Sequence, residues 1–351
     1  MRKRSAILLE PAFGYASAYS KPHQPTFQEI IRELAAVMNV TRFPNHFITA
    51  SNFIFQVLTG GIFLIFLDRY ISIGTMFFIV CATFLFGTLY NTIWYHRYCA
   101  HVSFEFSNRF YPMLFLWTNP LAFIFREEIY IFPHRIHHEQ TEKPGDPYGP
   151  HCGWLASLLA PELTQRFNPT IAQDHYDSLV RSIQHVGFPA HSYAWFKKTS
   201  CFENIAYYWT RIVLSQLLWI GIIGLLGGLA YVTAYYSAIF ISTILIRDFN
   251  WRGHGGNFRR IKRAGWEFAT NSFALNQYFY GYIASEWHDN HHKYPFSANN
   301  GFLPRQIDFA FLIVKWMYRV GIVQSYVDAM ALFEKECLGL PALNRATIVT
   351  H

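Results

Sequence analysis

The sequence predicts an all-α integral membrane protein: four transmembrane helices in two hairpins, with a cytoplasmic helical cap that carries clustered histidines. Three observations lead there. Hydrophobic residues make up 52% and aromatic residues 19% of the 351, against 15% charged, too little polar matter for a soluble domain of that size. The apolar residues concentrate in two long blocks without charge, and nine of the 16 histidines fall in four groups that follow those blocks.

Residues 1–46 read as a cytoplasmic N-terminal segment with one helix over 27–38. Its basic start, Met1-Arg2-Lys3-Arg4, runs into Glu10 and Pro11, which interrupt any apolar core, so no cleavable signal peptide is expected. Residues 47–67 and 70–95 are free of charge over 21 and 26 positions, each enough to cross roughly 30 Å of hydrocarbon. Asp68 and Arg69 mark a tight turn between them. Block 212–246 is 35 residues long, too long for one span, and is interrupted by Gly227, Gly228, Tyr231, Tyr235 and Tyr236. It divides into spans at 207–230 and 231–250, with Arg211 and Arg247 near the ends, where long basic side chains snorkel.

The cap is expected from 96–206 and 251–325, and residues 326–351 as a C-terminal tail. Within the cap, 110–125 is apolar but only 16 residues long and broken by Pro112 and Pro120, which suits an interfacial or buried helix. Of the 29 Lys and Arg residues only Arg69 lies in a link between paired spans, so both termini and every long loop are placed in the cytoplasm, at a bacterial inner membrane or the endoplasmic reticulum. The net charge of +7 follows from the same asymmetry. Runs such as Arg259, Arg260, Lys262 and Arg263 meet anionic headgroups, and no nucleic-acid partner is needed to explain them. Five cysteines without a CxxC spacing argue against disulfides and thiolate metal sites.

The histidine groups are His96 with His101; His134, His137 and His138; His254, four residues after Asn250; and His288, His291 and His292. At about 100° per residue, positions i, i+3 and i+4 share a helix stripe, so each triplet is expected to present three imidazoles to one point. His96 and His101 are five apart, a turn of about 140°, and are expected to flank a site or straddle a helix end. Neutral imidazole suits iron, zinc, copper and nickel alike. Nine ligands are too many for one ion, so a di-metal site is expected, with Asn250 holding a metal-bound water. Glu139, Glu286 and Asp289 are close enough in sequence to orient the rings. Glu127 and Glu128 read as solvated or as supports of the site rather than catalytic acids, and the other seven histidines as surface or packing residues.

These groups resemble the three histidine boxes of the membrane fatty acid desaturases, in particular the acyl-CoA (stearoyl-CoA type) branch: HxxxxH, HxxHH and a final HxxHH, with NxxxH after the fourth span. Asp146-Pro147, Tyr294-Pro295, Gly301 and Gln306-Ile307-Asp308 match too, over residues 40–325. The resemblance implies a desaturase domain at 47–325. It further implies two irons (Fe2+) on His96, His101, His134, His137, His138, His254, His288, His291 and His292, with Asn250 acting through water. O2 is then the co-substrate, a fatty acyl chain on CoA or another carrier the substrate, and a separate protein such as cytochrome b5 or a ferredoxin the electron donor. The sequence departs from the family before the second box, in Trp251-Arg252-Gly253, and in Ala284-Ser285-Glu286-Trp287, which bears on substrate more than on metal.

An alkyl C–H bond offers neither an acidic proton nor a leaving group, so acid/base residues alone cannot break it, whereas a metal with O2 can. The same boxes serve a hydroxylase or an alkene-forming decarboxylase, the nearest alternative. A metal transporter would need polar ligands near mid-membrane, and the span centres here carry neither histidine nor charge.

Overall fold

The computed structural model describes residues 7–14, 24–141, 143, 145–149, 152–254, 287–304, 306–341 and 346–350. Glu286, the basic run from Arg259 to Arg263, and His23, His151 and His351 lie outside them.

Helix α1 (Phe27–Met38) begins where Thr26 and Glu29 cap each other's backbone N–H groups. A 3-10 turn (Pro44–His46) leads into α2 (Phe47–Arg69). After a short turn, the Ser72 hydroxyl caps α3 (Ile73–Leu85), which continues without a break into a π-helical stretch (Phe86–Ala100). There the hydrogen bonds reach five residues back, as from His101 N–H to the His96 carbonyl, 3.2 Å.

Next come β1 (Phe104–Phe106), α4 (Phe110–Thr118), α5 (Glu127–Gln140), α6 (Trp154–Leu158), α7 (Ala160–Leu163), α8 (Gln173–Ser182) and α9 (Tyr193–Thr199). Helix α10 (Ile205–Gly253) is one hydrogen-bonded run of 49 residues, with non-helical angles at Gly228 (φ 63°, ψ −158°) that a residue with a Cβ rarely adopts. The Tyr235 hydroxyl reaches Gln216 Oε1 at 3.3 Å and its ring stacks on Trp219, so the arms 205–227 and 229–253 lie side by side. Beyond the second arm come α11 (His288–Lys293), α12 (Phe309–Arg319), β2 (Val323–Asp328), α13 (Met330–Leu338) and β3 (Thr347–Thr350).

Three helices among the described residues are long and apolar enough to cross a membrane: Pro44–Arg69, Ile73–Ala100 and Ile205–Gly253. Leu64, Phe77, Leu225 and Leu229 on them are exposed, a surface that needs hydrocarbon rather than water around it. At 1.5 Å per residue the third far exceeds the roughly 30 Å of a bilayer core.

The molecule is mostly helical but not all-α. Strands β1, β2 and β3 form an antiparallel sheet in that order. Residues from 326 on contribute to it, and Phe333 is buried against Phe302.

Two further expectations are corrected. Arg211 and Arg247 do not snorkel: both are buried, Arg211 between Glu127 and Glu203 and Arg247 against Glu162 at 3.0 Å. A guanidinium that cannot reach water is held by carboxylates instead. Glu127 and Glu128 are therefore not solvated; Glu128 pairs with Arg126 at 2.9 Å, and both carboxylates are buried.

Candidate metal centre

Nine histidines from four segments of the chain come together. His96, His101, His134, His138 and His291 form one group and His137, His254 and His292 a second; within each, one ring nitrogen per residue lies within 4.8 Å of the others. His288 joins the second through its Nε2, 2.7 Å from that of His254. In the first group Nε2 atoms lie 3.0 Å apart for His96 and His291, 2.9 Å for His101 and His134, and 2.9 Å for His138 and His291.

The triplets do not each point to one place. His134 and His138 enter the first group while His137 enters the second; in α11, His291 enters the first while His288 and His292 meet the second. The reason is angular: the i+4 residue lies about 40° to one side of residue i and the i+3 residue about 60° to the other. Each triplet-bearing helix thus runs between the two groups and serves both.

His96 and His101 also come together, their rings 5.0 Å apart, where α-helical pitch would separate them. A π turn returns after five residues rather than four, which brings an HxxxxH pair onto one side. Val102, next in the chain, has φ 50°, strained for a β-branched side chain, and the backbone turns back so that Ser103 N–H bonds the Arg97 carbonyl at 2.8 Å.

The rings are fixed from behind. His137 Nδ1 donates to Asp146 Oδ1 at 2.8 Å, and His134 Nδ1 is hydrogen-bonded to the Tyr148 hydroxyl at 2.7 Å, which leaves Nε2 of both rings turned to the groups. Of the acids expected for this task, Glu139 is exposed and Asp289 is buried at the start of α11. Asp146, eight residues past His138, had only its place beside Pro147 to mark it.

Arg97, unmarked in the sequence reading, is buried beside His96 and holds Asp308 with two bonds of 2.8 and 2.9 Å. Asp308 also accepts from Asn300 N–H at 2.9 Å, and Asn290, beside His291, donates to Gln306 Oε1 at 2.9 Å. The Gly301 turn allows this closure, since a Cβ there would stand 2.4 Å from the Gln306 carbonyl oxygen. Asn250 lies one turn before His254 and lines a cavity of about 40 Å3 with Tyr130, His134, Gln165 and Arg247, room for a water molecule.

Burial holds the His101, His134, His291 and His292 imidazoles well below their ordinary range, and neighbouring rings push them further down. Neutral rings with convergent lone pairs are the donor set a divalent metal takes. Both groups therefore fit metal ions on chemistry as well as distance.

No family model matches the chain. A probable chloroplastic lipid desaturase of Arabidopsis thaliana is 22% identical over 239 residues, 67% of this chain, which spans only 58% of that relative's length. The Delta-9 acyl-lipid desaturase 2 of the same plant is 26% identical over 68% of this chain and 72% of its own. The sn-1 stearoyl-lipid 9-desaturase of Synechocystis is 21% identical over 75% and 74%. The chain is thus similar to oxidoreductases that desaturate lipid-linked acyl chains, and the comparisons support the fatty acid desaturase family as a whole rather than its acyl-CoA branch.

Proposed function

We propose that the protein is a multi-pass membrane desaturase that uses two irons and O2 to introduce a double bond into a fatty acyl chain. The convergence of nine imidazoles into two groups carries this reading. The acyl carrier is read as a membrane lipid in place of the expected CoA thioester, because the relatives described are named for lipid substrates.

His96, His101, His134, His138 and His291 hold one iron; His137, His254, His288 and His292 hold the other, with Asn250 contributing through a water. The irons supply, with O2, oxidising power sufficient for an unactivated C–H bond. The chain's own residues do the rest. Asp146 and Tyr148 fix the ring orientations. Arg97 and Asp308 lock the first box to the segment beyond the third. The apolar walls of the second span and of the second arm of α10 keep water from the acyl chain.

In overall balance, an alkyl segment, O2, two electrons and two protons give an alkene and two waters, so a separate electron-transfer protein docks on the exposed cap. The arms of α10 are two spans, which makes four crossings in two hairpins with termini and site on the cytoplasmic face.

The test is expression in a host lacking its own desaturase, beside a working electron donor, with a His138→Ala control and mass spectrometry that locates double bonds in each lipid class. A new unsaturated species on intact lipids, absent from the control, is expected. Unsaturation confined to acyl-CoA would restore the thioester substrate; hydroxylated lipids or terminal alkenes would overturn the reaction while keeping the metal site.

A further inference from the structure

A cavity of about 720 Å3, the size of a small-molecule site, opens where α4 packs against α8 and the turn after it. Its lining divides by chemistry. Asn108, Arg109 and Gln184 contribute polar groups, and Pro112, Met113 and Phe188 apolar ones. Among the described residues that line it, none is acidic.

Arg109 is exposed, and among the described residues no carboxylate pairs with its guanidinium. Beside it, α4 carries no charge over its nine residues and leaves Phe110 65% and Leu114 46% exposed. An uncharged face with exposed aromatic and aliphatic side chains suits an interfacial position, where a neighbouring arginine can reach lipid phosphates. The Gly187 turn (φ 98°) closes the far wall, where a Cβ would stand 3.2 Å from Met113 Sδ. The floor is fastened to the histidine-bearing stretch: the Tyr98 hydroxyl donates to the His185 carbonyl at 2.9 Å, and His185 Nε2 donates to the Cys99 carbonyl at 3.0 Å. Because a carbonyl only accepts, this fixes the tautomer and leaves His185 Nδ1 as an acceptor for a hydroxyl.

We infer that this cavity binds an anionic glycerophospholipid with a hydroxylated headgroup, with the phosphate on Arg109 and Asn108, the headgroup hydroxyls at Gln184 and His185, and the start of an acyl chain along Pro112, Met113 and Phe188. The Arg109 guanidinium, with no acidic residue in the lining beside it, selects negative charge, and the apolar lining selects a lipid over a soluble phosphate. The site is separate from the two histidine groups, and the inference does not depend on the proposed reaction.

The test uses the full chain, purified in a neutral detergent and stripped of lipid, titrated with palmitoyl-oleoyl phosphatidylglycerol or phosphatidylcholine and read by native mass spectrometry. One tightly held phosphatidylglycerol per chain is expected, with Arg109→Ala weakening it roughly five- to tenfold. Met113→Trp, which fills space at the apolar lining, should remove the bound lipid while the melting temperature and metal content stay at the wild-type level. Millimolar inorganic phosphate should leave the lipid in place. Equal retention of both lipids, unchanged by Arg109→Ala, would overturn the inference. Displacement of the lipid by phosphate alone would also overturn it, in favour of a soluble anion. Neither readout involves turnover, so failure here leaves the proposed reaction untouched, and the converse.

Discussion

The first histidine group takes four of its five rings from inside continuous elements, whereas the second takes His254 from the capping position of α10 and His288 from the opening residue of α11. Their surroundings differ in the same sense. Beside the first lies the Arg97–Asp308 pair, 2% and 3% exposed; beside the second lies Arg252–Asp248, 29% and 10% exposed. A buried, doubly bonded pair holds its neighbours in one arrangement, whereas a partly wet one at a helix end contributes little to rigidity. The second group keeps the buried Asp146 contact on His137 but takes two rings from helix ends beside a wetter ion pair, and it should surrender a metal first when a chelator is titrated in.

Five measurements break or sharpen that contrast. His138→Ala, which opens the first group beside the ring of His292, should abolish product and remove about one metal equivalent by elemental analysis. The loss should exceed the ~100-fold typical of changes one layer further out. Asp308→Ala strands a buried guanidinium and should cost about 3–5 kcal/mol in a thermal melt, with metal leaving the first group. Wild-type stability in that variant would mean that the pair does not stiffen the site.

Asp146→Ala should weaken metal binding in the second group by about 10–100-fold, measured by competition with a chromophoric chelator. Tyr148→Phe removes a neutral partner from His134 and should cost the first group only about 1 kcal/mol. A reversed order would show that the first group depends on its outer contacts more than the second. The smallest effect is that of pH on the metal-free chain. Burial depresses His101, His134 and His291 in the first group and His292 in the second below their ordinary value of 6.5. The unfolded chain then binds more protons than the folded one below that value, so stability is complete at neutral pH and falls as pH drops through 6.5 and below. A metal-free melting temperature that is flat or rising on acidification would contradict it.

Much of this was readable from residues alone. The histidine spacing singled out the nine rings that come together, and Gly227 with Gly228 marked the break in α10, because both depend on neighbours a few positions apart. The two-group division was not readable: an i, i+3, i+4 triplet looks the same whether it serves one point or two, and only the opposing helix decides. Nor was Arg97 with Asp308, whose partners are 211 residues apart, or the burial of Arg211 between Glu127 and Glu203, which in sequence resembles a basic residue at a span end. Local rules find residue types, and long-range pairing sets what surrounds them.

The π-helical stretch from Phe86 to Ala100 gives the interval between His96 and His101 a meaning of its own. Chain length there acts as a ruler for pitch: with one residue removed, the same two rings would coincide only in an ordinary α-helix, whose narrower bore would rotate every side chain upstream. A one-residue deletion in this segment is thus tolerable only when the winding changes from π to α with it, so an HxxxxH and an HxxxH spacing are each matched to their own helix pitch.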